Sequence, residues 1–295
     1  MAYSLLNRFR GTFMGVAIAE SHDGILDFAA RDSLIMMESA KSLIRCGGMD
    51  LRDWLPHQIA TESGGISLAT RLLALLPIIL FYHEDEYWLE KQLKNAMNHL
   101  PAGQFKEADI MVICWAIAHV LTKKRSAKTT INDLIKSIEN AGITDDLIGK
   151  NLTKINGLLA ECPSLATVGD RLNKNNHSES AAIYLALYCF LSTPEQFQIS
   201  IQRAAQTHPE PNLTKLLTAA LSGAYNSHAG ITMTRQLMES NHLSPNRYNI
   251  QLITVADRLY ATWLGLYSVD KHMEKNPCQR HMMMVTDPHQ LVPPV

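Results

Sequence analysis

The chain has 295 residues, 46% of them hydrophobic, and a formal net charge of -1. That length suits one large domain, and the balance describes a globular protein without a nucleic-acid-binding surface as its main function. With 15 glycines, 12 prolines and almost no strand-like alternation, the composition predicts an all-α fold. The longest apolar runs, 72–82 and 110–120, fall short of the roughly 20 residues that span a bilayer. The opening MAYSLLNRFRGTFMG lacks a signal-peptide layout, so a cytoplasmic location is expected. Five cysteines (Cys46, Cys114, Cys162, Cys189, Cys278) form no pair with zinc-like spacing and read as buried free thiols.

In chain order, residues 5–19 predict a helix with Leu5, Phe9, Phe13, Val16 and Ala17 inward, broken by Ser21-His-Asp-Gly24. A second helix over 32–45 closes at Gly47-Gly48 in the manner of a C-cap. A short third helix is expected over 50–60. Residues 67–82 predict a buried helix interrupted or kinked at Pro77, and 85–100 an amphipathic one with Trp88, Leu89, Leu93 and Met97 inward. Further helices are expected over 106–121, 131–140 and 145–159, with a basic surface turn at 122–128. Residues 163–176 read as loop. Residues 180–191 are apolar almost all round, as a central helix would be. Ser192 and Thr193 are expected to cap the next helix, with Pro194 in its first turn. Pro209 and Pro211 allow a helix start but not an interior. Leu213, Leu216, Leu217, Ala220, Leu221 and Ala224 then mark one apolar face. Helices over 231–239 and 246–267 end a single domain, 1–269. A His-, Met- and Pro-rich tail, 270–295, reads as weakly ordered.

Several segments carry a resemblance. Arg8-Phe9-Arg10-Gly11-Thr12-Phe13-Met14-Gly15-Val16-Ala17-Ile18-Ala19-Glu20 is similar to the "RFRGALLGxAxGDALG" opening of the ADP-ribosylglycohydrolase family. Ala186-Leu187-Tyr188-Cys189-Phe190-Leu191 with Pro194 and Phe197 resembles its "ALYCFL…PxxFExAL" helix pair. Ala220-Leu221-Ser222-Gly223-Ala224-Tyr225 resembles the "ALxGAxxG" in which a following helix of the family ends. The family's "GNGxxMRxxP" segment is only echoed, by Ser63-Gly64-Gly65 and Arg71 to Pro77, with a spacing that does not fit. The likeness covers the first 80 residues and roughly 165–230, leaving 85–165 unplaced.

The resemblance implies a compact multi-helix domain that hydrolyses ADP-ribosyl glycosidic bonds with two magnesium ions. Such a site needs hard oxygen ligands with enough negative charge for two divalent cations. The family's Thr-Asp-Asp-Thr is met here by Ala30-Arg31-Asp32-Ser33, and its Asp-x-Asp-Thr by Glu210-Pro211-Asn212-Leu213. Four carboxylate positions thus become Arg31, Asp32, Glu210 and Asn212, which sum to a single negative charge. The magnesium ions are therefore expected to be lost, with no metal bound. The expected ligand pocket comprises Glu20, His22, Asp23, Arg31, Asp32, Ser33, His208, Glu210 and Asn212. Glu20, Asp32 and Glu210 are the candidates for acid/base work, since paired carboxylates serve when their neighbours split their pKa values. The simpler reading pairs Glu20 and Asp32 with Arg31 in a structural network. Two functions stay open: a non-catalytic binding or regulatory protein, with a protein partner or an ADP-ribose-like small molecule, and a hydrolase of weak or altered, metal-independent activity. No membrane partner is expected.

Overall fold

The segment 180–191 is a helix buried along its whole length. The computed structural model describes residues 4–20, 31–54, 67–100, 106–122, 127–141, 143, 145–174, 176–238 and 247–266. At 31–32, 127–129, 233–238 and 247–249 the backbone alone is described. These residues form α1 Leu5–Glu20, α2 Arg31–Cys46, α3 Leu68–Tyr82, α4 Glu86–His99, α5 Glu107–Thr122, α6 Ala127–Asn140, α7 Asp146–Glu161, α8 Leu165–Asn173, α9 Ser178–Ser192, α10 Phe197–Ala205, α11 Pro211–Met238 and α12 Arg247–Trp263. There is no strand among the described residues, so the fold is all-α.

Local chemistry sets many of the boundaries. Ser67, Asp85, Asp145 and Ser164 each accept a hydrogen bond from a first-turn backbone N–H, capping α3, α4, α7 and α8. Gly47 follows α2 with φ 66°, and the Gly48 N–H donates to Leu43 O at 3.1 Å. This is the predicted glycine C-cap. Pro77 is accommodated inside α3, whose middle is buried throughout.

The closest packing is between α1 and α11. A Cβ on Gly15 would stand 2.5 Å from Ala219 O, and one on Gly11 would overlap Gly223 O and come within 2.6 Å of the Ser227 carbonyl carbon. The two backbones touch, which only small residues allow. Since 15 meets 219 while 11 meets 223 and 227, the helices run antiparallel. α12 is tied to α1 by a two-pronged ion pair, Arg10 Nε and Nη2 to the Asp257 carboxylate at 2.5 and 2.8 Å.

Several elements differ from the sequence expectation. Residues 163–176 hold α8, because Ser164 caps a turn that buries Val168 and Leu172. Thr193 closes α9 instead of capping α10, its hydroxyl taken up by Cys189 O and Ser200 Oγ. Residues 51–54 form turns, and 55–60 lie outside the described residues. The segment expected as a separate helix over 231–239 continues α11 beyond a break at Ser227. Trp88 is 43% exposed, on the outer side of α4. Cys46, Cys114 and Cys189 are buried free thiols, whereas Cys162 is exposed where α7 ends in a left-handed turn. The tail 270–295 lies outside the described residues.

Candidate functional site

The direction of each helix decides which residues meet. α9 runs parallel to α11: Thr218 lies over Ala186 O and Asn226 Nδ2 donates to Pro194 O at 2.8 Å. α5 starts beside the start of α9, where Ser180 Oγ and Tyr184 OH both donate to the Asp109 carboxylate at 2.6 Å. At its other end α5 offers Val120 O and Leu121 O to the Arg8 guanidinium, each at 2.8 Å, near the beginning of α1. α3 runs with α5, since Arg71 near its start feels the Glu107 charge and His83 after its end stacks edge-on to Phe9. α2 runs with α3, through Ser39 Oγ to Ala74 O and Met49 N–H to the Tyr82 hydroxyl. Thus α2, α3, α5, α9 and α11 all begin at the end of the bundle where α1 finishes with Glu20.

That end gathers much of the expected pocket. Glu20 is half-buried at the last residue of α1, and Ser33 is fully buried in the first turn of α2. The Ser33 hydroxyl has no hydrogen-bond partner among the described residues. Glu210 is half-buried at the start of α11, where its carbonyl accepts from the Thr214 N–H and hydroxyl. His208 and Asn212 are exposed, and Leu213 is buried in the core. The backbone of Arg31 and Asp32 opens α2; their side chains, and all of His22 and Asp23, lie outside the described residues. Among the described residues no three His, Cys, Asp or Glu side chains converge as a metal site.

Three further groups at this end were not expected from sequence. Glu179, in the first turn of α9, has its carboxyl pKa raised by burial and then by the Glu210 charge. Arg71 is buried, and burial lowers its pKa against the opposing pull of Glu107. Asp109 is buried between two hydroxyl donors, as a desolvated carboxylate requires. Burial, followed by the Asp109 charge, drives the Tyr184 phenol pKa far up, so Tyr184 remains a donor. Arg71 stands in the segment that echoes "GNGxxMRxxP", but the misfit of that spacing gave no sign of its place. Glu179 had no signal either, because its neighbour Glu210 is remote in sequence.

Chemically, five helix starts bring positive dipole ends to this end of the bundle, which favours an anion. The carboxylates Glu20, Glu179 and Glu210 counter that field and can accept hydrogen bonds from a polyol. Compared with known family models and with curated proteins, the chain matches none. Two cavities lined by described residues lie elsewhere. One, of about 920 Å3, is flanked by α6 and α7, and the other, of about 400 Å3, lies near the end of α3.

Proposed function

We propose that the chain is a degenerate member of the ADP-ribosylglycohydrolase fold that binds an ADP-ribose-like ligand or a protein partner without catalysis. The observation that carries the reading is the α1–α11 contact. The two stretches most similar to the family's "RFRGALLG" and "ALxGAxxG" segments are the two helices whose backbones touch, at Gly11 and Gly223. The motif's last glycine falls at Ser227, and Ser227 holds φ 62° and ψ 170°, a conformation natural to glycine. The convergent helix starts suit the diphosphate of such a ligand. The donor set does not suit two magnesium ions: Leu213 is buried and apolar, Asn212 is neutral and exposed, and Arg31 adds a positive charge.

The test is calorimetry with magnesium and with ADP-ribose, separately and together. The expected result is heat from ADP-ribose that does not depend on magnesium. Two magnesium sites of micromolar affinity would overturn the reading. The double variant Arg31→Asp with Asn212→Asp restores two carboxylates without disturbing buried Leu213, and is expected to take up magnesium where the parent does not.

A second reading rests on Glu179. A carboxyl raised by burial and by a neighbouring carboxylate is suited to hold the proton that an acid in hydrolysis must give up. Slow, metal-independent release of ADP-ribose from a modified peptide, lost in Glu179→Gln, would favour this reading over the first.

A further inference from the structure

At the end of the bundle opposite the helix starts, α3 finishes, α4 begins and α12 ends. There Phe81, Tyr82, Glu84, Asp85, Trp88 and Trp263 line an open pocket of about 400 Å3. Four aromatic rings and two carboxylates meet with no basic side chain in the lining. Ring faces and carboxylates both attract positive charge, and rings also accept methyl groups. From this we infer that the pocket binds a small organic cation, of the trimethylammonium class.

Three observations support that class. Lys91, which is not part of the lining, already sets its Nζ 4.5 Å from the Trp88 ring centroid, so this ring draws a cation in the structure itself. His83, tilted 44° against Trp263 with ring centroids 5.2 Å apart, has its pKa lowered by burial, which disfavours a competing positive charge beside that ring. The cage is also braced before any ligand arrives. Tyr82 OH is held by the Met49 N–H at 3.0 Å, and Asp85 accepts from the Trp88 N–H at 3.0 Å.

The experiment is saturation-transfer NMR on the methyl protons of choline, with 3,3-dimethylbutan-1-ol as its neutral isostere. Choline is expected to give a saturable signal and the isostere none. Trp88→Ala, at an exposed position, is expected to abolish that signal with the helical circular dichroism unchanged. Glu84→Gln is expected to weaken binding ~2- to 5-fold, the range of one exposed cation contact. Lys91→Met removes the cation already set over the Trp88 ring and is expected to leave binding equal or tighter. A signal from both compounds alike, or a choline signal that survives Trp88→Ala, overturns the proposal. Phosphatidylcholine vesicles then identify the carrier: protein left in the supernatant means a free cation, and co-sedimentation blocked by choline means a lipid headgroup in the same pocket.

Discussion

Helices α1 and α7 each carry a pair of glycines, and the pairs have opposite meanings. On α1, Gly11 and Gly15 face the α11 backbone with no room for a methyl group. On α7, Gly149 and Gly157 have nothing within 4 Å of where a Cβ would stand. The first pair is demanded by packing. The second leaves the α7 backbone freer in the unfolded chain without any contact in return. α7 also borders the open groove of about 920 Å3, whose apolar floor includes Ile135, Ile138 and Ile143. The centre of the bundle is thus defined by backbone contact, whereas its α6–α7 side is defined by side chains with space to spare.

The largest expected effect tests the central contact. Gly11→Ala puts a methyl group into the Gly223 carbonyl, and neither backbone can yield without separating the helices. A loss of about 3 kcal/mol or more is expected in urea unfolding, despite the gain in helix propensity. A variant with an unchanged midpoint would mean that α1 and α11 do not touch as described.

Next in size is a gain on the other side of that contact. Ser227 is fully buried at φ 62°, and its hydroxyl has no hydrogen-bond partner among the described residues. Ser227→Gly relieves both penalties, and a stabilisation of about 1–3 kcal/mol is expected. The same assay checks it, and a loss of stability would refute the strained backbone. Smaller again is Gly149→Ala on α7. Propensity alone predicts a gain of about 0.5–1 kcal/mol there, read as a rise in Tm. Similar outcomes for Gly11→Ala and Gly149→Ala would erase the distinction between the two pairs.

What could be read from sequence follows the same division. The α1 stretch, the Gly47 cap, the Ser67 and Asp145 starts and the proline-limited start of α11 are local signals, and each appears where local chemistry puts it. α8 escaped notice because its burial signal is carried chiefly by Val168 and Leu172 amid polar neighbours. Trp88 was expected inside because hydrophobicity does not reveal which face of α4 meets the core. Glu20, Ser33 and Glu210 come to one end, while Asn212 and His208 face solvent. Glu179, Arg71 and Asp109 joined them only through helix directions, which depend on contacts between residues far apart in the chain.

The smallest expected effect is the most informative about that end, because it weighs one carboxylate against its surroundings. Glu179 lies in the first turn of α9, where the helix dipole favours negative charge by about 0.3–1 kcal/mol. Burial and then the Glu210 charge act the other way and raise its pKa. For a carboxyl whose folded pKa exceeds its unfolded one, the folded state holds the proton more tightly. Stability then falls as pH rises from the unfolded value, near 4.3, through the folded value, and the deficit is full above it. Below the unfolded value there is no deficit. Glu179→Gln should therefore be more stable than the parent at pH 7, by less than about 1 kcal/mol for so solvent-accessible a group, and equal to it near pH 3. His83 and His228 have pKa values lowered mainly by burial, so they remove stability as pH falls through their unfolded value. They do so in both proteins, and the difference between urea midpoints isolates Glu179. If Glu179→Gln is instead less stable at pH 7, Glu179 has a favourable partner, and Glu179 and Glu210 do not form the repelling pair that the acid/base reading requires.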